Sequence, residues 1–179
     1  MTDDEALLTA LAVIQARGAI GERSLTEAVA HSDRFVDLVP IGRISIADLG
    51  SGGGLPALVI AARRADATVT MIERRASRAD LLSRAITSLA LSDRVTVLNL
   101  DAEVVCERAA RSFDVVTARS FSDPLTTSRF IDRLLADSGI GLVSEPPEDR
   151  TRAWDAALAG VPGLVDDGLY QGIRRLRRS

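Results

Sequence analysis

The 179-residue chain contains no lysine; all 22 of its basic residues are arginine. A P-loop, which needs Lys and then Ser or Thr after its last glycine, is therefore excluded. Cysteine is nearly absent as well. Cys106 stands alone, so no disulfide can form within the chain and no cysteine-based zinc site can be built. The single histidine, His31, leaves His-rich metal sites and most histidine acid–base schemes without parts, and no metal is expected. Trp154 and Tyr170 are the only large polar aromatics, too few for a nucleic-acid stacking platform. Long apolar runs are missing too. The longest uncharged stretch, about Leu49 to Ala62, is too short to span a bilayer and is broken by glycines and Pro56. The first residues, Thr2-Asp3-Asp4-Glu5, are acidic where a signal peptide would be basic, which makes the cytoplasm the expected location. A net charge of −3 does not suit a protein that coats nucleic acid, so any RNA contact must come from a local patch.

What is present fits one globular domain. Residues 1–40 read as a helical segment. Thr2-x-x-Glu5 and Ser24-x-x-Glu27 have capping-box spacing, Leu7, Leu8, Leu11 and Ile14 recur at helical period, and Gly18 and Gly21 separate two helices. Residues 41–179 read as the core, with strand-like and helix-like pieces in alternation. Strands are expected at 44–49, 68–72, 95–98, 113–117 and 140–143, with a last one within Leu169 to Leu176. Helices are expected at 55–64, 77–91, 102–110, 124–136 and 148–158. Such alternation predicts an α/β fold: an open, mostly parallel sheet with helices on both faces, binding ligand at the carboxyl ends of its strands.

The sharpest signal is Asp48-Leu49-Gly50-Ser51-Gly52-Gly53-Gly54-Leu55-Pro56, between an expected strand and an expected helix. Glycines there admit positive φ and close ligand approach, and a helix start would add unbonded N–H groups. A dinucleotide site wants its third glycine at position 55, which is Leu55. The remaining pattern, an acid followed by Gly50, Gly52 and Gly54, resembles the cofactor loop of Rossmann-like class I S-adenosylmethionine-dependent methyltransferases. Asp48 suits a cationic sulfonium and a zwitterionic methionine better than a pyrophosphate. Glu73 ends the second strand, 19 residues after Gly54, where a carboxylate can accept from both ribose hydroxyls. Asp101-Ala102-Glu103 follows the third strand; its acids either read an adenine amino group or complement a helix dipole.

Taken together, several stretches resemble the bacterial small-subunit rRNA guanine-N7 methyltransferases, also called glucose-inhibited division protein B. They are Asp48 to Pro56, Ile72-Glu73 with Arg78 and Leu82, Ala102-Glu103, and Phe113 to Phe121 with its Ala118-Arg119-Ser120-Phe121 ending. The resemblance covers about residues 30 to 145. It implies S-adenosylmethionine as cofactor, contacts at Gly50, Leu55, Ala102, Glu103 and Arg119, and rRNA or the small ribosomal subunit as partner. Two departures accompany it. The family's longer leading helical segment is shortened, and Ser144-Glu145-Pro146-Pro147 stands where a Lys-Gly pair is usual.

Guanine N7 carries a lone pair and no proton, so in-line methyl transfer to it needs alignment and no general base. No catalytic side chain is accordingly assigned. Cys106 reads as a small core residue. Two arginine groups are candidates for phosphate contact or for a solvated surface: Arg74, Arg75, Arg78 and Arg84, and the tail Arg174, Arg175, Arg177 and Arg178. Methylation of a small molecule or protein, or a non-catalytic cofactor-binding module, are the alternatives.

Overall fold

The computed structural model describes residues 2–22 and 24–179. Two helices lead: α1 (Asp3–Ala16) and α2 (Leu25–Leu38). Thr2 caps α1 with a complete capping box, its hydroxyl accepting from Glu5 N–H while Glu5 Oε2 accepts from Thr2 N–H at 2.8 Å. Ser24 accepts from Glu27 N–H at the start of α2. After them β1 (Ile44–Leu49), α3 (Ala57–Arg63), β2 (Ala67–Ile72), α4 (Ala76–Ser88) and β3 (Val95–Leu98) form one half of the core. The other half is α5 (Ala102–Arg108), β4 (Phe113–Ala118), α6 (Pro124–Leu134), β5 (Leu135–Ser144), α7 (Thr151–Ala159), β6 (Leu164–Tyr170) and β7 (Ile173–Arg178).

The seven strands lie in the order β3-β2-β1-β4-β5-β7-β6. β1 to β5 pair in parallel, and β7 runs antiparallel to both β5 and β6. Alternate strand residues face opposite sides of a sheet. Ile46, Val69, Met71, Val115 and Leu142 pack under α1 to α4, while Ala47, Leu49, Ile72, Val116 and Val143 pack under α5 to α7. Both faces are covered, as parallel sheets require. Leu7, Leu11, Ile14 and Phe35 of the leading helices belong to the first of these cores.

Two expectations need correction. The tail read as a single strand is a hairpin, since the turn at Gln171 and Gly172, both at positive φ, falls inside it. Its first arm, β6, was not foreseen. Asp166-Asp167-Gly168 has turn-like composition, yet the chain absorbs it as a register shift within β6. Secondly, α3 begins at Ala57 rather than Leu55, with Pro56 at the cap position after a cis Leu55–Pro56 bond. Among the described residues no helix is long and apolar enough to cross a membrane.

Candidate cofactor and acceptor cleft

Parallel pairing of β1 with β4 sets Asp48 opposite Thr117 and Leu49 opposite Ala118. Asp48 is 1% exposed, and Thr117 Oγ1 donates to its Oδ1 at 2.6 Å. Its other oxygen, Oδ2, is buried without a hydrogen-bond partner among the described residues. Burial raises the Asp48 carboxyl to about 6, against the lowering pull of Thr117, Ser51 and Arg119.

The glycine bend closes over this acid. Ser51 N–H donates to Ile72 O, Gly52 N–H to Glu73 Oε2 at 2.9 Å, and Gly54 N–H to Ser51 O at 2.7 Å. Glu73 also accepts from Arg75 N–H at 2.8 Å, so its carboxylate staples the bend to the entry of α4. With about four lone-pair sites, two acceptor positions remain for a ligand. Three of the bend's N–H groups, those of Ser51, Gly52 and Gly54, are thus used internally, and the short α3 starts beyond it. The Glu73 carboxylate, accepting from Gly52 and Arg75 N–H, ties the bend to the end of β2 and the start of α4.

Gly50 sits at φ +63, and a Cβ there would lie 2.8 Å from Phe121 Cδ2. Phe121, itself edge-on to Phe130 at 5.4 Å, follows β4 and walls the bend. Gly53 is closed from the other side, because a Cβ would collide with Ile20 and Ala19 of the α1–α2 connection.

A cleft of about 920 Å³ opens at the carboxyl edge of the sheet. Of the expected residues, Gly50, Gly52, Leu55 and Arg119 line it. Asp48, Gly54 and Glu73 are buried and do not line it. Ala102 and Glu103 lie off its wall: the Glu103 carboxylate pairs with Arg133 of α6, and its N–H donates to Asp101. Any cofactor contact at 102–103 would fall to the backbone or to Asp101.

Sequence reasoning missed the other end of the cleft. His31 and Arg34 of α2, Ser144, Arg150, Trp154 and the Gln171–Gly172 turn line it together. His31 Nε2 lies 2.9 Å from Ser144 Oγ, and Arg34 Nη1 donates to Gln171 O at 3.0 Å, so α2 is stitched across to β5 and the β6–β7 turn. No local motif announces this assembly, because its parts come from three distant stretches of chain.

The tail arginines do not form a phosphate-binding patch. Arg174 is 4% exposed, pairs with Asp166 and Glu145, and stacks over Trp154 at 5.4 Å. Arg175 and Arg177 face Asp167, and Arg178 is bound to Asp132 and to Leu135 O. Of the first arginine group, Arg78 alone lines the cleft, while Arg74 lies 3.9 Å from Asp101. Cys106 is buried and its thiol is pushed up to about 11 by that burial, as befits a core residue.

This sheet order, with a glycine bend after β1 and an acid closing β2, defines a Rossmann-like class I methyltransferase fold. Cofactor-bound Rv0187 from MTB superposes with a TM-score of 0.68 at 17% identity, covering 97% of this chain and 89% of that one. A geranyl diphosphate methyltransferase does so at 0.63 and 16%, over 79% and 62%. The chain belongs to the GidB family, rRNA small subunit methyltransferase G, whose family model matches residues 9–151. It is 38% identical to the ribosomal RNA small subunit methyltransferase G of Renibacterium salmoninarum over 59% of this chain and 50% of that protein. Its identity to the Acidothermus cellulolyticus protein of the same name is 31%, over 89% and 69%. The chain spans about half the length of several relatives it matches.

Proposed function

We propose that this chain binds S-adenosylmethionine at the glycine-bend end of the cleft and methylates guanine N7 in small-subunit rRNA. One observation carries the reading: Gly50, Gly52, Leu55 and Arg119 line one cleft, and Asp48, buried at the foot of the same bend, has an Oδ2 without a hydrogen-bond partner among the described residues. A buried acceptor without a partner is costly unless function retains it. Its negative charge matches a cationic ligand above it, so the residues present fit the cofactor. Bound S-adenosylmethionine supplies an electrophilic methyl group on a cationic sulfur.

Each residue then has a limited task. Gly50 and Gly52 leave bare backbone where the ligand approaches. Glu73 holds the bend in shape and keeps two acceptor positions for ribose hydroxyls. Leu55 and Phe121 exclude water beside the transferred methyl, and Arg119 stands at the end of β4 between the two halves of the cleft. An N7 acceptor brings a lone pair without a proton, so the alignment of the two ligands does the work and no side chain acts as base. Membership of the rRNA small subunit methyltransferase G family supports the acceptor, as does the arginine-lined cleft in a chain of net charge −3.

The test is transfer of a tritiated methyl group from S-adenosylmethionine into unmethylated small-subunit rRNA, followed by borohydride–aniline cleavage at N7-methylguanine. Label in the rRNA with strand scission at one guanine is expected. Label resistant to scission would move the acceptor to another atom. Binding of the cofactor without label in rRNA would leave a small-molecule or protein acceptor, or a non-catalytic module.

A further inference from the structure

The arginines of this chain fall into two populations. Most near the C-terminus are neutralised in place: Arg174, Arg175, Arg177 and Arg178 each face Asp132, Glu145, Asp166 or Asp167. Three of those lining the cleft are not. Its charged lining is Arg34, Arg78, Arg119 and Arg150 against one carboxylate, Glu145. Glu145 is turned toward Arg174, 3.4 Å away, with both side chains about 95% buried (5% and 4% exposed). None of Arg34, Arg78 and Arg150 has a carboxylate partner among the described residues; Arg34 makes only its bond to Gln171 O. The end of the cleft that holds Arg34 and Arg150 is thus positive inside a chain that is negative overall.

The positive charge is also divided in space. Arg78 lies beside Gly52, 3.8 Å from where a Cβ would stand, at the cofactor end. Arg34 is exposed on α2 and Arg150 precedes α7, so both stand at the end made by α2, the 144–150 segment and the β6–β7 turn. Between them lie His31 and Ser144, a polar pair capable of both donating and accepting. The only aromatic there with a large ring, Trp154, is 1% exposed and held over Arg174, so it offers no open face for stacking. Electrostatic contact to phosphates, without stacking, is what this end can offer.

We infer that the RNA enters the cleft between α2 and the 144–150 segment, with Arg34 and Arg150 each taking a backbone phosphate beside the methylated base. This deepens and rests on the rRNA reading above. Planar guanidinium groups suit phosphate oxygens bidentately. The net charge of −3 over the whole chain disfavours contact away from the cleft, so affinity concentrates at this mouth.

Counterion release gives the test. Each lost phosphate contact lowers the slope of log affinity against log salt by about 0.7–0.9. Binding of fluorescein-labelled, protein-free small-subunit rRNA is measured by anisotropy across salt for wild type, Arg34→Gln, Arg150→Gln, the double variant and Arg177→Gln. Calorimetry with S-adenosylmethionine on each variant reports whether the cofactor end is intact. The expected result is a slope reduced by about 0.7–0.9 in each cleft variant and about twice that in the double variant. Cofactor affinity should be unchanged throughout, and Arg177→Gln should match wild type. An unchanged slope in the double variant, or an equal reduction in Arg177→Gln, would overturn the entry route while leaving rRNA as partner. Wild-type protein that binds cofactor but no rRNA would overturn both the route and the rRNA reading.

Discussion

The two ends of the cleft are built in opposite ways. The proposed cofactor end is local: nine consecutive residues, Asp48 to Pro56, supply the buried acid and the bend, and one distant carboxylate, Glu73, pins them. The proposed acceptor end is assembled from α2, the segment after β5 and the β6–β7 turn, joined by His31–Ser144 and Arg34–Gln171. A bend that must meet an unvarying cofactor is specified by backbone geometry. An end that must meet a particular acceptor is specified by side chains on separable elements. Changing the acceptor would then require altering α2 and the 144–150 segment while the 48–56 bend stays as it is.

The contrast can be broken most severely at Gly52. Its φ of +54 lies in the left-handed region, and its N–H bonds to Glu73. Gly52→Asp would strain the backbone and set a second carboxylate beside Glu73. Strain of about 1–3 kcal/mol plus charge repulsion predicts at least a hundredfold loss of S-adenosylmethionine affinity by calorimetry. Next in size is a change outside both ends. Arg178 holds Asp132 and the Leu135 carbonyl, with its side chain only 7% exposed. Arg178→Gln should cost about 3 kcal/mol in urea unfolding, with cofactor affinity and rRNA salt slope unaltered.

Asp48 sharpens the comparison through pH. Its carboxyl sits at about 6 in the folded chain against an ordinary 3.8. The folded state therefore holds the proton more tightly, and the stability linked to this group is present at low pH and lost as pH rises through about 6. Asp48→Asn should raise the unfolding free energy of the unliganded protein at pH 8 by an amount on the order of 3 kcal/mol, read as a higher melting temperature, with no gain below about pH 4. The same substitution should weaken cofactor binding about tenfold at pH 8, and wild-type affinity should fall as pH drops below about 6. A stabilised variant that also bound cofactor normally would detach Asp48 from the ligand. The smallest expected effect is that of the paired Arg34→Gln and Arg150→Gln changes, confined to the salt dependence of rRNA binding.

The legibility of the sequence follows the same division. β1 and β3 are readable at their observed bounds, and β2 and β4 within one residue, because short β-branched runs between glycine and helix signals leave few alternatives. Gly50, Gly52, Leu55 and Arg119 could be assigned to one site because each belongs to a contiguous motif. The hairpin at β6–β7 was hidden by Asp166-Asp167-Gly168, whose turn composition masks a strand. The tail arginines looked like a basic patch because their partners, Asp132, Glu145, Asp166 and Asp167, come near only through folding. The His31–Ser144 pair was hidden for the same reason: its members are 113 positions apart.

Calorimetric titration of S-adenosylmethionine into wild type and Gly52→Asp bears most directly on the claim that the glycine bend is a ligand seat. Saturable heat with the wild type and none with a folded Gly52→Asp chain is the predicted outcome. Equal heats from both proteins, or none from either, would contradict it.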